Sequence, residues 1–348
     1  MSAPIGASLK LPVLSDGFAR TVSYLRVSLT DRCNYRCVYC MPEEGVDLVP
    51  KADVLSFEEV ERLVRVMMRF GVRRVRLTGG EPTVRKDVVA LVERLGALGL
   101  DDLAMTTNGE RLVELAAPLK RAGLSRLNVS LDTLDPAKFR AITRRGDLPR
   151  VLAGVEMARE VGFTGTKINC VVMGGVNEDD VPALCAWAWE RDLTPRFIES
   201  MPMSDGALYT PGSFAAAATI RARIEAAFGP LVPMPEGEDA SGIRGVGPAR
   251  YQRVDGGRNH GARVGIISAV TEPFCATCNR VRLTATGQLH TCLALDDDTD
   301  LRTPLRAGAD DDELAQKVLL AVSAKKEGHT FTACGSGGPR KHMVAIGG

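Results

Sequence analysis

Three cysteines crowd into one short stretch, Cys33-Asn34-Tyr35-Arg36-Cys37-Val38-Tyr39-Cys40, directly after the apolar run Tyr24-Leu25-Arg26-Val27-Ser28-Leu29. Three thiolates at C-x₃-C-x₂-C spacing can share one metal centre. A structural zinc site usually takes four protein ligands, and an iron–sulfur cubane normally takes four cysteines. The stretch offers three, with no histidine near it: the chain's histidines are His260, His290, His329 and His342. Three thiolates on a cubane leave one iron open, and an open metal position is where chemistry can happen. A zinc knuckle closed by a distant cysteine fits the same spacing. A second triad follows much later. Cys275 and Cys278 form C-x₂-C, and thirteen residues separate Cys278 from Cys292. His290 lies beside Cys292, so a zinc site of three cysteines and one histidine satisfies this spacing as well as a second cubane does. Cys170, Cys185 and Cys334 have no such spacing, and core packing suits the first two.

Composition narrows the setting. The chain has 348 residues, 45% hydrophobic and 25% charged, which suits a globular protein of one large α/β domain or two smaller ones. A net charge of +1 gives no global basic field for nucleic acid, so any anion site must be local. No apolar run approaches a membrane span. Met1 to Asp16 lacks a basic start followed by an apolar stretch and does not read as a secretory signal. Nine cysteines without an export signal point to metal or redox use in the cytoplasm rather than disulfides.

The elements that must position these groups alternate. Residues 1–21 read as a loose arm. Ser56 and Glu59 form a capping box for a helix running to about Phe70, with Val60, Leu63, Val64 and Met67 as its apolar stripe. Strand patterns at Arg73–Leu77, Leu103–Met105, Arg126–Val129, Lys167–Val172 and Arg196–Ile198 alternate with helical patterns at about Arg85–Leu98, up to Arg121, from Asp135-Pro136, over Pro149–Val161, and after Asn177, a candidate cap. With the first apolar run, this makes six β/α units over residues 22–202, which predicts an incomplete six-unit (β/α) barrel of the TIM type, α/β in class. Six units cannot close an eight-stranded barrel, so the remaining residues 203–348 must cover the open side. There a helix is expected around Phe214–Phe228 and another over Asp311–Lys325. Antiparallel or irregular structure is expected from Tyr251 to Leu295, and a flexible glycine-rich end from Gly335.

Several polar groups fall just past strands, where the active face of a barrel lies. Gly79-Gly80-Glu81-Pro82 is a glycine pair that lets backbone approach a ligand. Thr106, Ser130 and Met201 follow strands in the same way, although a methionine is ordinarily core filler. Arg26, Arg76 and Lys167 lie within apolar strands, which is costly unless they meet an anion or a cavity. Arg280-Val281-Arg282 directly follows the second triad. Inward guanidinium groups suit a triphosphate, because Arg binds phosphate oxygens bidentately. No G-x₄-G-K-[ST] loop is present, so this is not a P-loop site.

The stretch Leu25 to Pro42 resembles the opening of the MoaA family, the GTP 3′,8-cyclases of the radical S-adenosylmethionine superfamily. Phe274 to Thr284 resembles that family's second-cluster motif, so the resemblance covers about residues 22–348. It implies two 4Fe–4S clusters, one on Cys33, Cys37 and Cys40 and one on Cys275, Cys278 and Cys292, whose open iron binds the purine. It also implies that S-adenosyl-L-methionine meets Tyr39, Gly80, Ser130 and Met201, and that GTP meets Arg26, Arg76, Thr106, Lys167, Arg280, Val281 and Arg282. In the implied reaction a 5′-deoxyadenosyl radical takes the ribose 3′ hydrogen, C3′ attacks guanine C8, and (8S)-3′,8-cyclo-7,8-dihydroguanosine 5′-triphosphate results. That is the first step of molybdenum cofactor synthesis, a lyase reaction. The family implies a flavodoxin or ferredoxin as electron donor, cyclic pyranopterin monophosphate synthase downstream, a monomer or homodimer, and no nucleic acid or membrane partner. Its members end in a Gly-Gly pair needed for cyclisation, matched here by Gly347-Gly348, which is expected to enter the site. The chain departs from the family at Ala19-Arg20, where Gly-Arg is common, and over residues 203–250. The alternatives are a radical maturase acting on a peptide, which would want more C-terminal cysteines, and a zinc-stabilised binding protein.

Overall fold

The computed structural model describes residues 13–234 and 247–347. Strands β1 (Tyr24–Ser28), β2 (Arg74–Thr78), β3 (Asp102–Thr107), β4 (Arg126–Ser130), β5 (Lys167–Val172) and β6 (Thr194–Glu199) pair in parallel, each with the next. Between them come helices α1 (Phe57–Met68), α2 (Val88–Gly96), α3 (Leu112–Arg121), α4 (Pro136–Thr143), α5 (Leu148–Glu160) and α6 (Val181–Trp189). These are the six expected β/α units. Both reciprocal bonds of the Ser56–Glu59 capping box are present, and the stripe of α1 is buried. Asp135 accepts from the Lys138 N–H ahead of α4, with Pro136 at the first helical position.

Several features differ from expectation, among them the helix expected from Phe214, which begins at Ala217. The helix expected from Arg85 begins at Val88, because Pro82–Val84 forms a separate 3₁₀ turn capped by the Glu81 carboxylate. Asn177 precedes the 3₁₀ turn Glu178–Asp180, but its side chain makes no capping bond, and Asp180 stands at the N-cap of α6. Asn177 is wholly buried, and its amide donates to the carbonyls of Asp132 (2.9 Å) and Val171 (3.0 Å), tying the ends of β4 and β5 together.

The C-terminal part contains α7 (Ala217–Phe228), β7 (Leu231–Pro233), β8 (Arg250–Val254), β9 (Arg263–Ile267), β10 (Arg280–Leu283), β11 (Gln288–His290), β12 (Asp298–Asp300), α8 (Arg302–Arg306), α9 (Asp311–Ser323) and α10 (Met343–Ile346). Antiparallel hairpins occur here as expected. The region does more than wrap the barrel, however. β9 adds in parallel to β6, and β10 adds in parallel to β1. A parallel sheet of six strands leaves two edges with unpaired backbone groups, and one stretch of chain covers both. The strand order β12-β11-β10-β1-β2-β3-β4-β5-β6-β9-β8-β7 runs without a break across residue 202, and its free edges are β12 and β7. Residues 268–279 connect β9 to β10.

Neither described end is loose. Arg20 binds Asp16 through Nε (2.5 Å) and donates to the carbonyls of Cys275, Lys326 and Glu327, so the arm from residue 13 is docked. The stretch from Gly335 to Gly347 packs as well. Val344 and Ile346 are buried, and a Cβ on Gly338 would collide with the Pro202 carbonyl.

Candidate active site

All six cysteines of the two triads face one cavity inside the barrel, together with Arg26, Arg76, Gly80, Thr106, Ser130, Met201, Arg280 and Arg282. The first triad leaves the C-terminal end of β1 and is held by main-chain bonds. Arg36 N–H donates to the Thr143 carbonyl and Val38 N–H to the Ile142 carbonyl, each at 3.0 Å. Arg144 Nη1 adds contacts to the carbonyls of Arg36 (3.0 Å) and Met41 (3.2 Å). Gly80 owes its identity to the same loop. Its N–H donates to the Thr30 carbonyl, and a Cβ there would sit 2.3 Å from the Arg32 carbonyl oxygen. Glu81 is buried and accepts from Thr83 N–H, Thr83 Oγ1, Thr107 Oγ1 and Asn108 N–H, which fixes the turns after β2 and β3.

Burial pushes the thiols of Cys33 and Cys40 up to about 12, with the Glu81 charge adding to the effect at Cys33. Cys37 is raised as well, by burial and then by Asp132. Such thiols stay protonated at neutral pH until a metal takes the thiolate form. None of the nine cysteines is in a disulfide. Three unoxidised thiols facing a common cavity fit a cluster. The Tyr39 hydroxyl donates to Asp132 Oδ2 (2.8 Å), and burial raises that carboxyl to about 6.

The second triad sits elsewhere along the barrel axis. Cys275 and Cys278 lie just before β10, and Cys292 follows β11, which runs back beside β10. Because β10 is parallel to β1, this triad lies at the N-terminal end of the strands and the first at the C-terminal end. Five residues of β1, at roughly 3.3 Å each, separate those ends by on the order of 15 Å. Burial works against the Cys278 thiolate, but the charges of Arg280, Lys325 and Arg20 favour it, and its thiol falls below the usual value. Burial raises Cys292. His290 does not join the three thiols: it is fully buried, lines a neighbouring cavity, and has Nδ1 3.6 Å from Asp297 Oδ1. Its position removes the basis for the three-cysteine, one-histidine zinc site.

Between the two ends lies a row of cations. Register pairs Arg26 with Arg282 on one side and with Arg76 on the other, so three guanidinium groups project side by side into the barrel. Burial lowers the pKa of Arg26, and repulsion from Arg282, Arg76 and Arg280 lowers it further; burial brings Arg282 to about 10. A bound polyanion would relieve this repulsion. Arg76 Nε and Thr106 Oγ1 are buried and lack a hydrogen-bond partner among the described residues. Lys167 is buried and is not among the residues lining the cavity, with its ammonium over the Tyr251 ring at 5.8 Å. The Val281 side chain belongs to the hydrophobic core, leaving only its main chain for any contact. The Gly347 carbonyl accepts from Arg282 Nη1 (2.7 Å) and Thr78 Oγ1 (3.3 Å), and Gly348 lies outside the described residues.

The chain matches two family models, "Radical SAM superfamily" over residues 27–188 and "Molybdenum Cofactor Synthesis C" over residues 193–331. The "GTP 3',8-cyclase" of Caulobacter vibrioides is 46% identical over 97% of this chain and 94% of its own length. That of Heliobacterium modesticaldum is 46% identical over 96% and 99%, and that of Nitrobacter winogradskyi 44% over 96% and 95%. The chain belongs to the GTP 3′,8-cyclase family. It is a radical S-adenosylmethionine enzyme that uses S-adenosylmethionine and iron–sulfur clusters. Among solved structures, the SuiB–SuiA precursor peptide complex from Streptococcus suis aligns with a TM-score of 0.48 at 21% identity, covering 62% of this chain and 46% of that one.

Several cavity residues of this cyclase-family chain escaped sequence reasoning. Arg196 donates to Asn169 Oδ1 (2.9 Å) and Asn128 Oδ1 (2.6 Å) beside the cation row. It carried the same signal as Arg26, a cation inside an apolar strand. Asp132 and Glu199, each at or just past a strand end, gave no signal apart from that place.

Proposed function

We propose that the chain converts GTP into (8S)-3′,8-cyclo-7,8-dihydroguanosine 5′-triphosphate and cleaves S-adenosylmethionine to methionine and 5′-deoxyadenosine, opening molybdenum cofactor synthesis. The observation that carries this reading at residue level is the registered row Arg282–Arg26–Arg76 strung between two cysteine triads. Cys33, Cys37 and Cys40 hold the first cluster, and Cys275, Cys278 and Cys292 hold the second. When bound, the clusters and S-adenosylmethionine supply the radical that starts the reaction. The chain's own groups bind, align and shield. Gly80 and Ser130, with the Tyr39 main chain and Met201, cradle S-adenosylmethionine at the first triad. Arg26, Arg76, Arg280 and Arg282 hold the triphosphate, joined by Thr106 and by Arg196, which sequence reasoning missed. Lys167 and the Val281 main chain complete the GTP-binding set. The purine reaches the second triad.

A small redox protein, a flavodoxin or ferredoxin, supplies the electron, and cyclic pyranopterin monophosphate synthase consumes the product. The reaction runs in the cytoplasm, on a monomer or homodimer; no described helix is long and apolar enough to cross a membrane. Residues 22–202 act as the six-unit partial barrel and residues 203–348 as the cluster- and GTP-binding region that adds β9 and β10 to it. Anaerobic incubation of the reconstituted protein with GTP, S-adenosylmethionine and dithionite should yield the cyclised nucleotide together with 5′-deoxyadenosine. 5′-Deoxyadenosine without any cyclised nucleotide would refute the proposal.

Gly347 and Gly348 align the substrate from the tail. A Cβ on Gly347 would lie 2.7 Å from the Ser28 Cβ, in a backbone conformation of φ +74°. A chain ending at Ile346 should keep its iron and still bind GTP, yet make little product. Full turnover by the shortened chain would show that the tail is not needed.

A further inference from the structure

Lys325 is a buried cation outside the substrate row. It lies just past α9, is 3% exposed, and donates through its ammonium to the carbonyls of Arg280 (3.4 Å) and Thr291. Those carbonyls belong to different stretches of chain. Arg280 stands two residues after Cys278 at the start of β10, and Thr291 immediately precedes Cys292 after β11. One side chain therefore joins the two arms that bring the second triad together.

Carbonyl oxygens satisfy the ammonium's hydrogen bonds but leave its charge uncompensated, and a buried charge is costly unless an opposite one faces it. Among the described residues no carboxylate pairs with Lys325. The carbonyls it holds place its charge beside the thiols, since Arg280 is two residues from Cys278 and Thr291 adjoins Cys292. A cubane on three thiolates carries net negative charge, and reduction adds one more. A fixed cation beside it favours both assembly and reduction.

We infer that Lys325 is a positioning residue of the second cluster, joining the two arms of its cysteine triad and balancing the charge of the cluster they hold. This rests on the assignment of a cluster to that triad. The test uses the full chain with Lys325→Met, which keeps length and removes charge, and Lys325→Arg, which keeps charge. Each is purified anaerobically, and iron and sulfide are counted. The second cluster's midpoint potential is followed by electron paramagnetic resonance, in the two-cluster protein and in a background with Cys33, Cys37 and Cys40 changed to Ala. Lys325→Met should retain the iron and shift the midpoint to a more negative value, with Lys325→Arg returning it towards that of the unsubstituted chain. Loss of the second cluster in Lys325→Met but not in Lys325→Arg also supports the inference. An unchanged midpoint in Lys325→Met, or equal loss of iron in both variants, overturns it. A chain with native Lys325 that binds no iron at this triad overturns the cluster assignment itself, and that result is seen before any Lys325 variant is read.

Discussion

The two cysteine triads open onto one cavity but are built in contrasting ways. The first is local: eight consecutive residues, held by main-chain bonds to Ile142 and Thr143 and by Arg144. Burial pushes its thiols up, and the carboxylates Glu81 at Cys33 and Asp132 at Cys37 add to this, with Arg36 opposing at Cys33. The second is assembled from distant parts of the chain, by Arg20 on the Cys275 carbonyl and by Lys325 on the carbonyls of Arg280 and Thr291. Cations act on both Cys278 and Cys292, with Asp297 opposing them at Cys292; Cys278 is pushed down, while burial pushes Cys292 up. Negative surroundings oppose the arrival of an electron, and positive surroundings favour it and attract anions. The first triad is thus suited to hold a strong reductant and the second to hold an anionic nucleotide, and the arginine row joins the two.

The largest effects should come from removing one triad at a time. Changing Cys33, Cys37 and Cys40 to Ala should leave about half the iron and abolish S-adenosylmethionine cleavage, because each cluster has its own cysteine ligands. Changing Cys275, Cys278 and Cys292 to Ala should also leave about half the iron, yet preserve reductive cleavage of S-adenosylmethionine while ending cyclisation. Loss of all iron from either variant would mean that the triads do not form independent sites. The contrast drawn between them would then fail.

The acidic side of the comparison can be read from pH. Burial raises Asp132 from the ordinary 3.8 to about 6. The folded chain holds this proton more tightly than the unfolded chain, so the associated stability is fully present below about pH 4 and is lost as pH rises through about 6. At 1.36 kcal/mol per unit this is on the order of 3 kcal/mol. Urea unfolding of the metal-free chain across this window should show the decline, and Asp132→Asn should flatten it. An equal slope in that variant would assign the titration to another group.

The cation row separates the ligands that the two ends receive. Arg282→Ala removes a charge-assisted contact worth on the order of 1.5–3 kcal/mol, about tenfold to a hundredfold in GTP affinity. Calorimetry should show S-adenosylmethionine binding much less affected. Lys167→Ala should weaken GTP less than Arg282→Ala does, since Arg282 lines the cavity and Lys167 does not. Equal weakening of both ligands by Arg282→Ala would remove that arginine from the triphosphate site.

Much of this contrast was legible in the sequence, because local order leaves local signals. The first triad is contiguous, the Ser56–Glu59 box lies within one turn, and Arg26 and Arg76 stand out as charges in apolar strands. The pairing of β9 with β6 and of β10 with β1 was not legible: it joins strands far apart in sequence, and short runs such as Arg280–Leu283 do not announce their partners. The clamps on the second triad were hidden for the same reason. Arg20 reaches Cys275 across 255 positions, and nothing in the spacing of either residue marks the contact. Asn177 misled because an asparagine before a helix usually caps it, whereas here its amide serves the ends of two strands.

The smallest expected effect falls at the turn before Arg20. Ala19 adopts φ +60°, a left-handed conformation that costs a residue with a Cβ roughly 1–2 kcal/mol and glycine little. The turn it makes delivers Arg20 to Asp16 and to the Cys275 carbonyl, so the strain is borne at the second triad's clamp. Glycine at 19 removes the strain, but it also frees the unfolded chain, which offsets roughly 0.4–1 kcal/mol of the gain. Ala19→Gly should therefore stabilise the fold by only about 0.5 kcal/mol. If the second triad depends on this distant clamp, iron at that site should leave more slowly to a chelator in Ala19→Gly, while loss from the first site keeps its rate. A change of equal size at both sites would show that the turn steadies the whole barrel, and the second triad would then owe its geometry to Lys325 and its own strands rather than to the arm.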